Sequence, residues 1–135
     1  MNSIFTAPQA ARASGLPYRT LDYYCRTGLL RPSVHESRGI GDDRLFNFAD
    51  VLALRLIHLM RTASVSRKQM ETLVRMVRTN PKTKMLLVID VTGSGGYWAS
   101  RGMTIGTLAH FACYVIDIAL TAEELQRRMK IEGIS

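Results

Sequence analysis

Four side chains that bind phosphate readily fall within one short stretch: Arg19, Thr20, Tyr23 and Arg26. Two guanidiniums, a hydroxyl and a phenol suit a phosphate backbone, because the guanidinium fork grips anionic oxygens in two-pronged fashion. The same pattern also serves an ordinary amphipathic surface helix. Two further arginines, Arg38 and Arg44, flank the tract G-I-G-D-D, whose glycines and aspartates signal a turn. Other chemistries find less support. Cys25, Cys113, His58 and His110 offer soft ligands, but none stands at a metal-site spacing such as C-x-x-C, so neither metal nor cofactor is expected. Asp90 and Asp117 lie in apolar, strand-like runs, and no nucleophile–base pair can be read from spacing, so an enzyme is not expected. The turn T-G-S-G-G at 92–96 lacks the lysine of a P-loop and the spacing of a dinucleotide fingerprint, and reads as a hairpin. Tyr97 and Trp98 could stack on a ligand or base, or fill a core or dimer interface.

The elements that must position these groups follow from the local sequence. Thr6 is an N-cap, Pro8 sits in the first turn, and Ala10, Ala11 and Ala13 continue a short helix to Gly15. Gly15 suits a left-handed turn, Pro17 presets a second helix, and Gly28 with Pro32 ends it. Within that helix Leu21 and Tyr24, three apart, share an inward face. Helix, tight turn and helix give a helix-turn-helix spacing. Val34 on one side of the Gly–Asp tract, and Leu45 and Phe46 on the other, are expected to pair as a β-wing. Asp50 or Asn47 then caps a strongly apolar helix over about Ala49 to Thr62, and Ser64 or Ser66 caps another that ends at Asn80–Pro81. Beyond it, Lys84 to Val91 reads as a strand buried on both faces, Tyr97 to Arg101 as its antiparallel partner, and Phe111 to Leu120 as another strand. Thr121 is expected to cap a last helix with acids at its start and bases at its end. The expected fold class is therefore α+β. A winged helix-turn-helix of four helices and a β-wing occupies residues 1–80. A small α/β segment of two or three strands and a final helix occupies 81–135.

With 47% apolar residues in 135, the chain can bury a core, and no apolar run is long enough to span a membrane. The first twenty residues lack an apolar secretory core, so a cytoplasmic location is expected. The net charge is +7, and its placement is uneven: residues 1–80 carry twelve bases against six acids, residues 81–135 six against five. Eleven of those twelve bases are arginine. A polyanion would be drawn to the first part; no segment joins a basic face to a wide apolar one, as membrane binding would need.

The run R-T-L-D-Y-Y-C-R-T-G-L-L-R-P, followed by a wing ending R-L-F, an acid-capped helix and then S-V-S-R-K-Q-M, resembles the MerR-type family of winged-helix transcriptional regulators over residues 4–78. The resemblance implies that the second helix enters a major groove of double-stranded DNA. It implies DNA contacts at Arg19, Thr20, Tyr23 and the wing residue Arg44, with Arg26 and Arg38 as further candidates. Three positions depart from the pattern. Asp22 stands where a base is usual, and beside phosphate it would repel. Asp43 replaces an aromatic just before the wing arginine. Asn80–Pro81 interrupts the long helix through which the family usually dimerises, so a dimer would form through a strand edge, the last helix or the apolar sheet face.

The leading expectation is thus a dimeric, sequence-specific DNA-binding regulator that meets DNA and, as a regulator, RNA polymerase or another protein partner. The alternative is a protein-interaction or mobile-element accessory module that uses the winged helix as scaffold and its C-terminal strands for edge addition.

Overall fold

The computed structural model describes residues 3–36, 43–61, 65–90, 96–100 and 113–134. They form five helices and two small antiparallel sheets, an α+β fold. Strand β1 (Ile4–Thr6) leads into α1 (Ala7–Ser14). Thr6 and Gln9 form a reciprocal capping box: the Gln9 amide donates to Thr6 Oγ1 at 3.3 Å, and the Thr6 amide to Gln9 Oε1 at 2.9 Å. Four alanines of α1 are buried, and their small side chains let the next helix approach closely. Gly15, at φ 85°, makes the left-handed turn into α2 (Tyr18–Arg26). Leu21 and Tyr24 point into the core, as their spacing predicts.

Strand β2 (Leu45–Asn47) has partners on both edges. On one it pairs in antiparallel register with β1, Phe5 opposite Phe46; on the other the Val34 amide donates to the Leu45 carbonyl at 3.2 Å. Among the described residues the two arms of the Gly–Asp tract meet at one bridge, His35 with Leu45. Pairing β2 with β1 places both phenyl rings in the core at zero exposure. The tip of the tract, Arg38 included, lies outside the described residues.

Asn47 caps α3 (Phe48–Met60), and Asp50 closes the box from the third helical position, so both residues named from sequence take part. Leu52, Leu54 and Ile57 of this helix are fully buried, which puts it at the centre of the core. Ser66 with Gln69 caps α4 (Arg67–Thr79) in the same way. The chain then forms a sheet of order β4-β3-β5 from β3 (Leu86–Asp90), β4 (Gly96–Ala99) and β5 (Cys113–Asp117). Leu87, Val88 and Ile89 are all fully buried, as the unbroken apolar run predicts.

The last helix, α5 (Ile118–Ile131), begins four residues earlier than expected. Asp117, not Thr121, is its cap: the Leu120 amide donates to Asp117 Oδ1 at 2.9 Å. The apolar Ile118-Ala119-Leu120 continues the strand pattern in sequence, but the aspartate ends the strand by bonding the first turn. The Thr121 hydroxyl instead donates back to the Asp117 carbonyl at 2.8 Å. Helix α5 then packs on α1 and α3, and Ile118 and Leu125 join the same core as Phe5 and Leu52. Arginines fasten it. Arg128 Nε donates to the Ala13 carbonyl at 3.0 Å, and Arg55 Nη1 to the Ser14 carbonyl at 3.0 Å. These carbonyls are the open acceptors at the end of α1. Arg55 also pairs with Glu124 of α5.

Candidate nucleic-acid interface

Arg19, Tyr23 and Arg26 recur at intervals of four and three residues, so they form one stripe along α2, turned away from Leu21 and Tyr24. All three are exposed; the Arg26 side chain is 65% accessible and Tyr23 51%. Thr20 beside them is half-buried. Tyr18 and Asp22 occupy the neighbouring stripe, and there the β2 arm meets the helix. Arg44 Nη2 donates to Asp22 Oδ1 at 3.0 Å and approaches the Tyr18 hydroxyl at 3.5 Å. Its side chain is only 7% accessible. Arg44 therefore adjoins the α2 stripe but turns its guanidinium inward, onto the helix.

Asp22 is the joint of this arrangement. One carboxylate oxygen accepts from Arg26 Nε at 2.8 Å, the other from Arg44. The bond from Arg26 is the chief cause that holds the carboxyl below its usual range; burial pushes the other way, and the charges of Arg26 and Arg44 with the bond from Arg44 add to the lowering. The acid that seemed out of place beside phosphate is thus neutralised by two arginines, and it orients both. Asp43, the other departure, bonds His35 Nε2 at 3.0 Å across the two arms of the Gly–Asp tract.

Two further groups fix α2 and the arm, and spacing alone did not mark them. Arg67, at the start of α4, donates to the Thr27 hydroxyl and carbonyl, each at 2.9 Å, clasping the end of α2. Asp50 is fully buried and accepts from the Ser33 amide at 2.8 Å and the Ser33 hydroxyl at 2.6 Å. It also pairs with Arg78 Nε of α4 at 3.2 Å, and Arg78 bonds the Ser33 hydroxyl as well. A single carboxylate so joins the root of the arm, α3 and α4. The available signal was an acid at the third position of an otherwise apolar helix; its distant partners could not be read from spacing.

Among the described residues no group of three or more His, Cys, Asp or Glu could hold a metal ion, and no helix is long and apolar enough to cross a membrane. His110 lies outside the described residues, as does the side chain of Cys113.

The chain is similar to HTH-type transcriptional regulators, themselves uncharacterized, from Mycobacterium bovis and Mycobacterium tuberculosis, 36% identical over 62 residues in each case. That stretch is 46% of this chain and 28% of each relative, so the chain covers well under a third of their length. Residues 5–77, which run from the buried Phe5 of β1 to the last turn of α4, match the family described as MerR HTH family regulatory protein. More than half of the chain is included, and it belongs to the MerR family of helix-turn-helix regulatory proteins.

Proposed function

We propose that the chain is a sequence-specific transcriptional regulator that binds double-stranded DNA through α2. The observation that carries this reading is the exposed stripe of Arg19, Tyr23 and Arg26, flanked by an arm that Arg44 ties to Asp22. In the proposal α2 lies in the major groove. Arg19, Thr20 and Tyr23 meet phosphates and base edges, and Arg26 grips phosphate from its pairing with Asp22. Arg44 holds the β2 arm against α2, and Arg38 stays a candidate for a backbone contact. Helix-turn-helix proteins usually read two half-sites as dimers, so residues 81–135 are assigned to dimerisation or sensing, in place of the long helix that Asn80–Pro81 ends.

Selection of bound fragments from genomic DNA, followed by anisotropy on the selected duplex, tests the reading. Affinity should fall with salt at about 0.9 log unit per phosphate contact. Arg19→Ala should cost about 1–3 kcal/mol if it reads a base, or reduce the salt slope by about one if it holds phosphate. An unchanged isotherm for Arg19→Ala removes that residue from the interface, and no enrichment of fragments at low salt refutes the function.

A further inference from the structure

Of the chain's four lysines, three rim a single cavity: Lys82, Lys84 and Lys130. The cavity measures about 960 Å³ and lies between β1, the first turn of α3, the Pro81–Lys84 linker and α5. That size is at the upper end of small-molecule sites. Its floor is apolar, with Phe5, Met129 and Ile134 all buried at its base. Among the described residues no acidic side chain lines it. Phe48 and Ala49, the opening turn of α3, form part of the wall.

This combination has a definite chemical preference. An apolar floor without a polar head group would not select among hydrophobes, and lysines without a floor would suit any solvated anion. Lysine, unlike arginine, is a compact charge on a flexible stem, able to lie along an apolar wall and deliver its ammonium at the mouth. Elsewhere in the chain arginine is the preferred base, and here it is absent from the lining among the described residues.

We propose that this cavity binds an amphipathic carboxylate, its apolar body on the Phe5–Met129–Ile134 floor and its carboxylate held by the lysines at the mouth. The site does not depend on the DNA-binding reading, and its test contains no duplex. The full chain is titrated calorimetrically with decanoate below its aggregation concentration, with decanol, and with acetate. Decanoate should bind at one site per chain, decanol about tenfold more weakly, and acetate not detectably. Lys82→Glu with Lys130→Glu, both exposed, should weaken decanoate at least about tenfold and leave decanol unchanged. Lys82→Gln with Lys130→Gln gives the same comparison if charge reversal harms folding. Equal binding of decanoate and decanol overturns the proposal, as does no binding of either, or wild-type affinity for decanoate in the lysine variants.

Discussion

Replacing Asp50 by alanine should test how far one buried carboxylate holds the domain together. Its oxygens accept from the Ser33 amide, the Ser33 hydroxyl and the Asn47 amide, and face Arg78 Nε. These partners do not lose equally. The Ser33 hydroxyl is on an exposed residue and can turn to water, and the Arg78 side chain, 28% accessible, can be rehydrated. The full cost of stranding a buried ion, about 3–5 kcal/mol, therefore does not apply. What remains is two backbone amides, of Ser33 and of Asn47, without their acceptor, at about 1 kcal/mol or more each; the second is the half of the capping box that Asp50 supplies. The expected destabilisation is about 2–3 kcal/mol, or roughly 6–10 °C in the melting temperature of a domain this size. Asp50→Asn keeps an acceptor oxygen and gives up mainly the charge, so it should cost about 1 kcal/mol. Thermal melts by circular dichroism measure both. If the alanine variant melts within about 2 °C of the parent, or the asparagine variant is as unstable as the alanine one, acceptor geometry is not what Asp50 supplies.

Asp22→Asn removes the counter-charge of Arg26 and Arg44, so binding to arbitrary duplex should tighten and its salt slope steepen by about 0.9. Discrimination between selected and arbitrary duplex should fall as the arm loosens; a variant with both quantities unchanged would show that Asp22 orients neither arginine. His58 has its Nδ1 buried without a hydrogen-bond partner, and burial, then the charges of Arg55, Arg61 and Arg128, push its pKa below the ordinary value. Its neutral form is favoured in the folded state, so that stability is present above about pH 6.5 and is lost as pH falls through the depressed folded value. Melting temperature should drop over that acidic range in the parent and drop less in His58→Gln, and parallel curves would exclude the histidine as the cause. Gly15→Ala and Gly28→Ala both place alanine at positive φ, 85° and 81°, but only at Gly15 would the new Cβ meet neighbours, Arg55 Nη1 at 3.0 Å and His58 Nε2 at 3.2 Å. Gly28→Ala should cost about 1–2 kcal/mol and Gly15→Ala clearly more, and urea unfolding that ranks them the other way would contradict the packing at the end of α1.

Local rules carried the reading where the decisive contacts were local. Thr6, Gly15, Pro17 and Gly28 mark the bounds of α1 and α2 because caps and left-handed turns act within a few residues. Strand β3 was legible because burial on both faces leaves an unbroken apolar run. What escaped depends on partners far along the chain. The Val34 side meets β2 near in sequence, but its other edge takes β1 from about forty residues upstream, and only the core brings Phe46 opposite Phe5. Asp117 looked like a strand acid because its role as a cap shows only when the chain turns. Asp22 read as a misplaced charge because Arg44, which answers it, is twenty-two positions away.

The arginine count misleads for the same reason. Twelve bases in the first eighty residues suggest a broad cationic surface. Yet Arg44, Arg55, Arg67 and Arg78 face Asp22, Glu124, Glu71 and Asp50 respectively, and each joins two or more elements. Arg55 and Arg128 spend their donors on α1 carbonyls, which fastens α5 to the helix-turn-helix. The long-range field still sums every charge, so the excess can steer a polyanion toward this half of the molecule. Close contact is another matter, since a guanidinium already bonded on two sides has few donors left for phosphate. Much of the arginine in this chain is structural, holding together short elements whose small core could not do so alone. The contact surface narrows accordingly to the α2 stripe, where Arg19 stands exposed and Arg26 is tethered at only one edge by Asp22.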